Sequence, residues 1–224
     1  MGVGKIKCRM LAGLCGLCGF ALAALGAAHG ASLTSSVKLF KGLPALYVNG
    51  KLTSSLLCYN EMDPQDCFKA GFPIVSLTLP YDGSEKSVYW MGPRKYNFDR
   101  IDAEIDNYLR QDPTVLLLPK IDPVPGSWWC SEFPNDISLQ SDGTATGATR
   151  KQPCHFSFAS QKYQSLAREA LTALVAHFES KYGSNVLGYH LENGIWGEWF
   201  SWDAYEDGDH FGVEDYSAPA KAAF

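Results

Sequence analysis

Apolar positions along this chain change their period several times, and each change marks an element. Over residues 160–183, Tyr163, Leu166, Ala167, Ala170, Leu171, Leu174, Val175, Phe178 and Tyr182 recur at steps of three and four. That spacing gathers them on one side of an α-helix. Ser160 stands where the helix needs an N-cap and Gly183 where it needs a C-cap. A second helix is predicted from Asp99, which would cap it, with Ile101, Ile105, Tyr108 and Leu109 on its apolar side and Asp112-Pro113 at its end. A shorter helical turn is predicted over 64–70, closed by Gly71.

Between these lie four short, continuous apolar runs, at 56–59, 74–79, 115–118 and 186–191. They are too short for helices and read as strands covered on both faces. Ahead of them, residues 43–52 read as a small hairpin turning at Asn49-Gly50. The predicted order is a hairpin, then β-α-β-α-β-α-β, which implies a parallel sheet with helices packed outside it. After the third strand comes a loop of about thirty-five residues, rich in Pro, Trp, Gly and Ser; a loop that long is functional or disordered.

In barrels of this α/β type the reacting groups follow the carboxyl ends of strands. An eight-unit barrel needs about 200 residues or more, and only four βα units are visible. The tail from Asp215 to Phe224 reads like the start of a further helix. The expectation is the first half of a longer barrel.

Residues 1–30 change the picture of where the protein works. Lys5, Lys7 and Arg9 precede an uncharged Ala/Leu/Gly/Cys run, and Ala28-His29-Gly30 places small residues before Ala31. This predicts a secretory signal peptide over 1–30, the rival being an uncleaved anchor, with the barrel portion over 31–224. The protein is then expected to be secreted or periplasmic, with no membrane attachment after cleavage. Losing three basic residues makes the product more acidic than the whole chain, whose net charge is −5. That argues against nucleic acid as a partner. Cys58, Cys67, Cys130 and Cys154 remain after cleavage. Of three pairings, the nearest-neighbour one joins Cys58 to Cys67 and Cys130 to Cys154; free buried thiols are the alternative.

The chemistry is concentrated after the fourth strand, in His190-Leu191-Glu192-Asn193-Gly194-Ile195-Trp196-Gly197-Glu198-Trp199-Phe200-Ser201-Trp202. Carboxylates among indoles are how sugar-cleaving sites are built: an acid protonates the glycosidic oxygen and aromatic faces stack on the sugar. Glu198 stands among aromatic residues in the sequence, and an apolar surrounding is expected to raise its pKa, as a general acid requires. His190 and Glu192 share a strand face by parity. Trp128-Trp129 is expected to divide into one core residue and one sugar platform. Lys120 and Asp122 close the third strand, either toward substrate hydroxyls or as a surface ion pair. The acidic residues between Asp203 and Asp215 read as a solvated loop, since Tyr205 breaks the pattern of a calcium loop. The histidines lack HExxH spacing, so neither metal nor organic cofactor is expected.

Taken together, Leu46-Tyr47-Val48-Asn49-Gly50-Lys51, Tyr96-Asn97-Phe98-Asp99-Arg100-Ile101-Asp102, Pro125-Gly126-Ser127-Trp128-Trp129, and Gly188-Tyr189-His190 leading to Gly197-Glu198-Trp199-Phe200 resemble clan A glycoside hydrolases. Within that clan the chain resembles the family 42 β-galactosidases and similar bacterial enzymes. The resemblance implies a (β/α)8 TIM barrel and a retaining mechanism on β-linked, galactose-type oligo- or polysaccharides. It also implies an acid/base glutamate after the fourth strand and a nucleophile after the seventh.

In the clan the acid/base glutamate directly follows an asparagine. Here Gly194 follows Asn193, and the next glutamate is Glu198. Glu198 is the expected acid/base and Glu192 its competitor. His190, Glu192, Asn193, Trp128, Trp129 and Trp199 are the expected sugar-binding residues. The rival reading is a non-catalytic, carbohydrate-binding half-barrel.

Overall fold

The structure is a computed structural model, and it describes residues 33–59, 64–79, 89–146, 154–191 and 214–224. The chain enters through a three-stranded antiparallel sheet of β1 (Ser35–Phe40), β2 (Leu43–Val48) and β3 (Lys51–Thr53). The predicted hairpin is β2–β3. Its turn holds Asn49 and Gly50 at φ 50° and 76°, a left-handed pair that only such residues enter cheaply. Strand β1 was not foreseen: its residues are exposed throughout, so no buried stripe marks it.

Four parallel strands follow in the order β4 (Leu57–Tyr59), β5 (Ile74–Thr78), β8 (Leu116–Ile121) and β9 (His190–Leu191). Helix α1 (Pro64–Lys69) connects the first two, and α2 (Asp99–Gln111) leads to the third after a small ribbon of β6 (Trp90–Gly92) and β7 (Lys95–Tyr96). Helix α4 (Gln161–Tyr182) leads to the fourth. The predicted α/β alternation is therefore observed, with sequential strands adjacent and parallel.

The helices cover one face of this sheet. Cys58, Val75, Leu77, Val115, Leu117 and Ile121 bury against Ile101, Ile105, Tyr108, Ala170, Leu174 and Phe178. Polar bonds fix the two long helices against each other. Asp102 accepts from His177 at 2.7 Å and from Tyr182 at 2.9 Å, and Lys181 lies 2.8 Å from its other oxygen. The His177 ring also stacks on Phe98 at 4.3 Å. On the opposite face, Ile74, Leu116, Leu118 and Leu187 lie under Leu46 and Val48 of the hairpin. The hairpin thus closes the amino end of that face.

Two helix caps differ from expectation. Ser160 does cap α4, accepting from the Tyr163 amide at 3.0 Å. Asp99, however, is the first residue of α2, and it is Asn97 whose side chain accepts the Asp99 amide at 2.9 Å. Gly183 ends α4 with ordinary right-handed angles. What selects glycine there is space, since a Cβ would stand 2.5 Å from the Glu179 carbonyl oxygen.

The long loop is built rather than disordered where it is described. It carries α3 (Trp128–Glu132), and Ile137 bridges Phe156. Cys130–Cys154 ties it off and Cys58–Cys67 staples β4 to α1, the nearest-neighbour pairing of the four cysteines. Helix α5 (Ala218–Ala223) forms as the tail suggested, capped by Ser217. Just before it, Glu214 and Asp215 depart from the expected solvated loop. Glu214 accepts from the buried Ser138 hydroxyl at 2.8 Å, and Asp215 from the buried Ser157 hydroxyl. Among the described residues no helix is long and apolar enough to cross a membrane.

Candidate active site

The carboxyl ends of the parallel strands carry polar residues on the face turned away from the helices. Strand β4 ends in Tyr59, in register with Ser76 of β5. Strand β8 contributes Lys120, whose register partner on β9 is His190. Parity along β8 fixes the geometry: Leu117 and Ile121 face the helices, so Lys120 faces the other way.

Parity alone misplaces His190. Val186 bridges Leu117 and is buried on the helix side, and simple alternation would put His190 there too. Between the Leu117–Val186 and Lys120–His190 pairings the fourth strand gains one residue on its partner. This irregularity acts as a bulge and turns His190 to the open face beside Lys120, as bulges near functional sites do. Leu187 already lies on that face, while Tyr189 packs on Phe178 from the helix side.

Lys120 is 3% exposed, so it is not a member of a surface pair. Its ammonium donates to the Tyr59 hydroxyl at 2.6 Å and lies 4.7 Å from that ring's centroid. Asp122, the next residue of the same parity, sits near two tyrosines. Burial, and then the Asp122 charge, push the Tyr89 and Tyr163 hydroxyls well above the ordinary phenol range. The Tyr163 hydroxyl donates to the Pro123 carbonyl at 3.2 Å, pinning the strand's exit to α4.

Of the tryptophan pair, Trp129 is the core residue, which changes the list of sugar-binding candidates. Trp129 is 1% exposed, and its indole donates to the Asp136 carbonyl at 3.3 Å. A ring with no free face cannot stack on a sugar, so Trp129 leaves the candidate set. Trp128 is half-buried, packs edge-on against Trp90 at 5.5 Å and donates to the Trp90 carbonyl at 2.9 Å. It stays a candidate with its polar end already engaged. Glu192, Asn193, Glu198 and Trp199, with Trp196 and Trp202, lie outside the described residues. Among the described residues no cluster of His, Cys, Asp or Glu is arranged to hold a metal.

The sequence reading did not single out Tyr59, which the structure sets against Lys120. Its only signal was its place at the end of the first strand, before the acidic Glu61. The family model of glycoside hydrolase family 42, described as beta-galactosidase, matches residues 87–207, more than half of the chain. The chain belongs to glycoside hydrolase family 42.

This family 42 chain is also similar in structure to several β-galactosidases. One is from the psychrophilic Marinomonas ef1, at 17% identity and TM-score 0.49, covering 75% of this chain and 24% of that one. Another is from the haloarchaeon Halorubrum lacusprofundi, at 16% identity and TM-score 0.46, covering 73% and 23%. A third, cold-adapted, is from Rahnella sp. R3, at 13% identity and TM-score 0.42, covering 70% and 19%. The chain spans a quarter or less of their lengths. A search of curated proteins finds no match.

Proposed function

We propose that this protein is an exported β-galactosidase-like glycoside hydrolase that cleaves β-linked sugars with retention. The observation that carries the reading is the family match over 87–207, which includes the Trp128 loop and every carboxylate candidate after the fourth strand. The placing of His190 and Lys120 on the open face, at the carboxyl ends of strands, supports it. So do two disulfides, which persist in oxidising compartments.

In this reading Glu198 protonates the leaving oxygen while a second carboxylate, about 5–5.5 Å away, attacks the anomeric carbon. The family places that nucleophile after the seventh strand. Glu198, then ionised, takes a proton from water to release the sugar. His190, Glu192, Asn193 and Trp199 hold hydroxyls and sugar faces.

The test compares Glu198→Gln with Glu192→Gln on two classes of aryl β-galactoside. With Glu198 as acid/base, Glu198→Gln slows poor leaving groups by about 10²–10⁴. Formation of the glycosyl-enzyme from very good leaving groups, which need no proton, is spared. Loss of the proton-dependent step in Glu192→Gln alone moves the role to Glu192. The Asn193-Gly194 departure from the clan favours a second reading, carbohydrate binding without catalysis; saturable sugar binding with no turnover on any glycoside would establish it.

A further inference from the structure

We propose that Tyr59 is a further sugar-contacting residue, at the end of the first parallel strand, and that Lys120 is the positioning residue that aims it; this rests on the glycosidase reading above. Tyr59 is 40% exposed on the open face, while Lys120 beneath it is 3% exposed. The buried group therefore reaches substrate through the exposed one.

Three observations converge on the pair. The first is the cost of the lysine. Taking an ammonium out of water is costly. Leu116 and Leu118, on the same face of the same strand, show that apolar residues fill it where only packing is needed. The cation stands where the hairpin cover gives way to the carboxyl end of the strand. Second, the bond has a direction. A lysine can only donate, so the Tyr59 oxygen is the acceptor at 2.6 Å. The phenol proton is left to donate elsewhere, and a donor that itself accepts from a cation is strengthened.

Third, the backbone before Tyr59 is fixed. Cys58 points to the helix side and is bonded to Cys67 of α1, and both sulfurs are buried. A pre-aimed, strong O–H donor at a strand's carboxyl end suits an oxygen acceptor on a sugar ring. Because Lys120 is also the register partner of His190, the acceptor is one presented alongside the group His190 meets.

Steady-state kinetics on an aryl β-galactoside and calorimetric titration with galactose test this on the full chain. Tyr59→Phe, which keeps the ring and removes the donor, raises KM and weakens galactose binding about five- to ten-fold, as for one hydrogen bond, with kcat within about two-fold. Lys120→Met gives the same split, and the double variant is no worse than Tyr59→Phe alone. A merely structural lysine would instead lower the melting temperature and leave KM of the folded fraction unchanged.

If Lys120→Met does not fold, monodeoxygalactoses decide. One deoxy position weakens the unaltered protein and costs Tyr59→Phe nothing more. Wild-type KM and affinity in Tyr59→Phe, or equal deoxy penalties in both proteins, would overturn the proposal and leave the glycosidase reading intact. A protein that neither binds nor cleaves any galactoside overturns both.

Discussion

The two faces of the parallel sheet are drawn from alternate residues of the same strands, yet they are chemically unlike. On the helix side Val75, Leu77, Leu117 and Ile121 are at most 1% exposed. On the other side the amino half is apolar and capped by the hairpin, and the carboxyl half holds Tyr59, Ser76, Lys120 and His190. One face is committed to stability throughout its length. The other is committed only where the hairpin covers it and turns polar beyond. Mutations on the two faces should therefore separate stability from function.

The largest effect is expected at the centre of the helix face. Leu117 is fully buried between α2, α4 and the neighbouring strands. Leu117→Ala should cost about 2–5 kcal/mol, the transfer loss plus a cavity that rigid neighbours cannot fill. Leu57, on the other face of the edge strand, is 41% exposed, and Leu57→Ala should cost under about 1 kcal/mol. Urea unfolding followed by circular dichroism measures both; equal costs would erase the distinction between the faces.

An intermediate effect is expected where helix packing depends on charge. Burial tends to raise the Asp102 pKa, but bonds from Lys181, His177 and Tyr182 together outweigh it and hold the carboxyl below the usual range. A carboxylate whose folded pKa is depressed stabilises above its unfolded pKa, near 4, and loses that stabilisation as pH falls through the lower folded value. Asp102→Asn should therefore cost about 1–3 kcal/mol at neutral pH and progressively less below about pH 4. Melting temperatures from pH 7 to pH 3 check the convergence; a pH-independent gap between the two proteins would show that Asp102 acts by shape and not by charge.

What the sequence made legible follows the same division. Helix α4, its Ser160 cap, the Asn49-Gly50 turn and the four apolar runs are local signals, each readable within one turn or one strand. The helix face was legible because burial there is uniform. The open face was not, because its character depends on partners far away in the chain. Buried Lys120 donates to the hydroxyl of Tyr59, 61 residues earlier, a pairing no local pattern reveals. The side chain that takes the first amide of α2 is that of Asn97, through a local turn that composition does not reveal, and among the described residues Asp99 caps nothing. Strand β1, exposed on both faces, lacked the alternation by which strands are recognised. The candidate site was half legible: the apolar run placed His190 at the carboxyl end of the fourth strand, but its side of the sheet was decided by one extra residue between Val186 and His190.

That extra residue gives the smallest stability effect and the sharpest test of the comparison. His190 is exposed, and its register partner Lys120 places it on the open face. An exposed side chain outside the packed interior contributes little to folding, so His190→Ala should change stability by no more than about 0.5 kcal/mol. The glycosidase reading requires the same change to lower kcat/KM on a β-galactoside by about ten-fold or more, since a hydrogen bond made to substrate in the transition state is lost. If His190 instead followed Val186 onto the helix side, the pattern would reverse. Removing it would loosen the packing around Tyr189 and Phe178, costing stability while sparing turnover. Paired melting and kinetic measurements on this one variant therefore report which face the bulge assigns to His190.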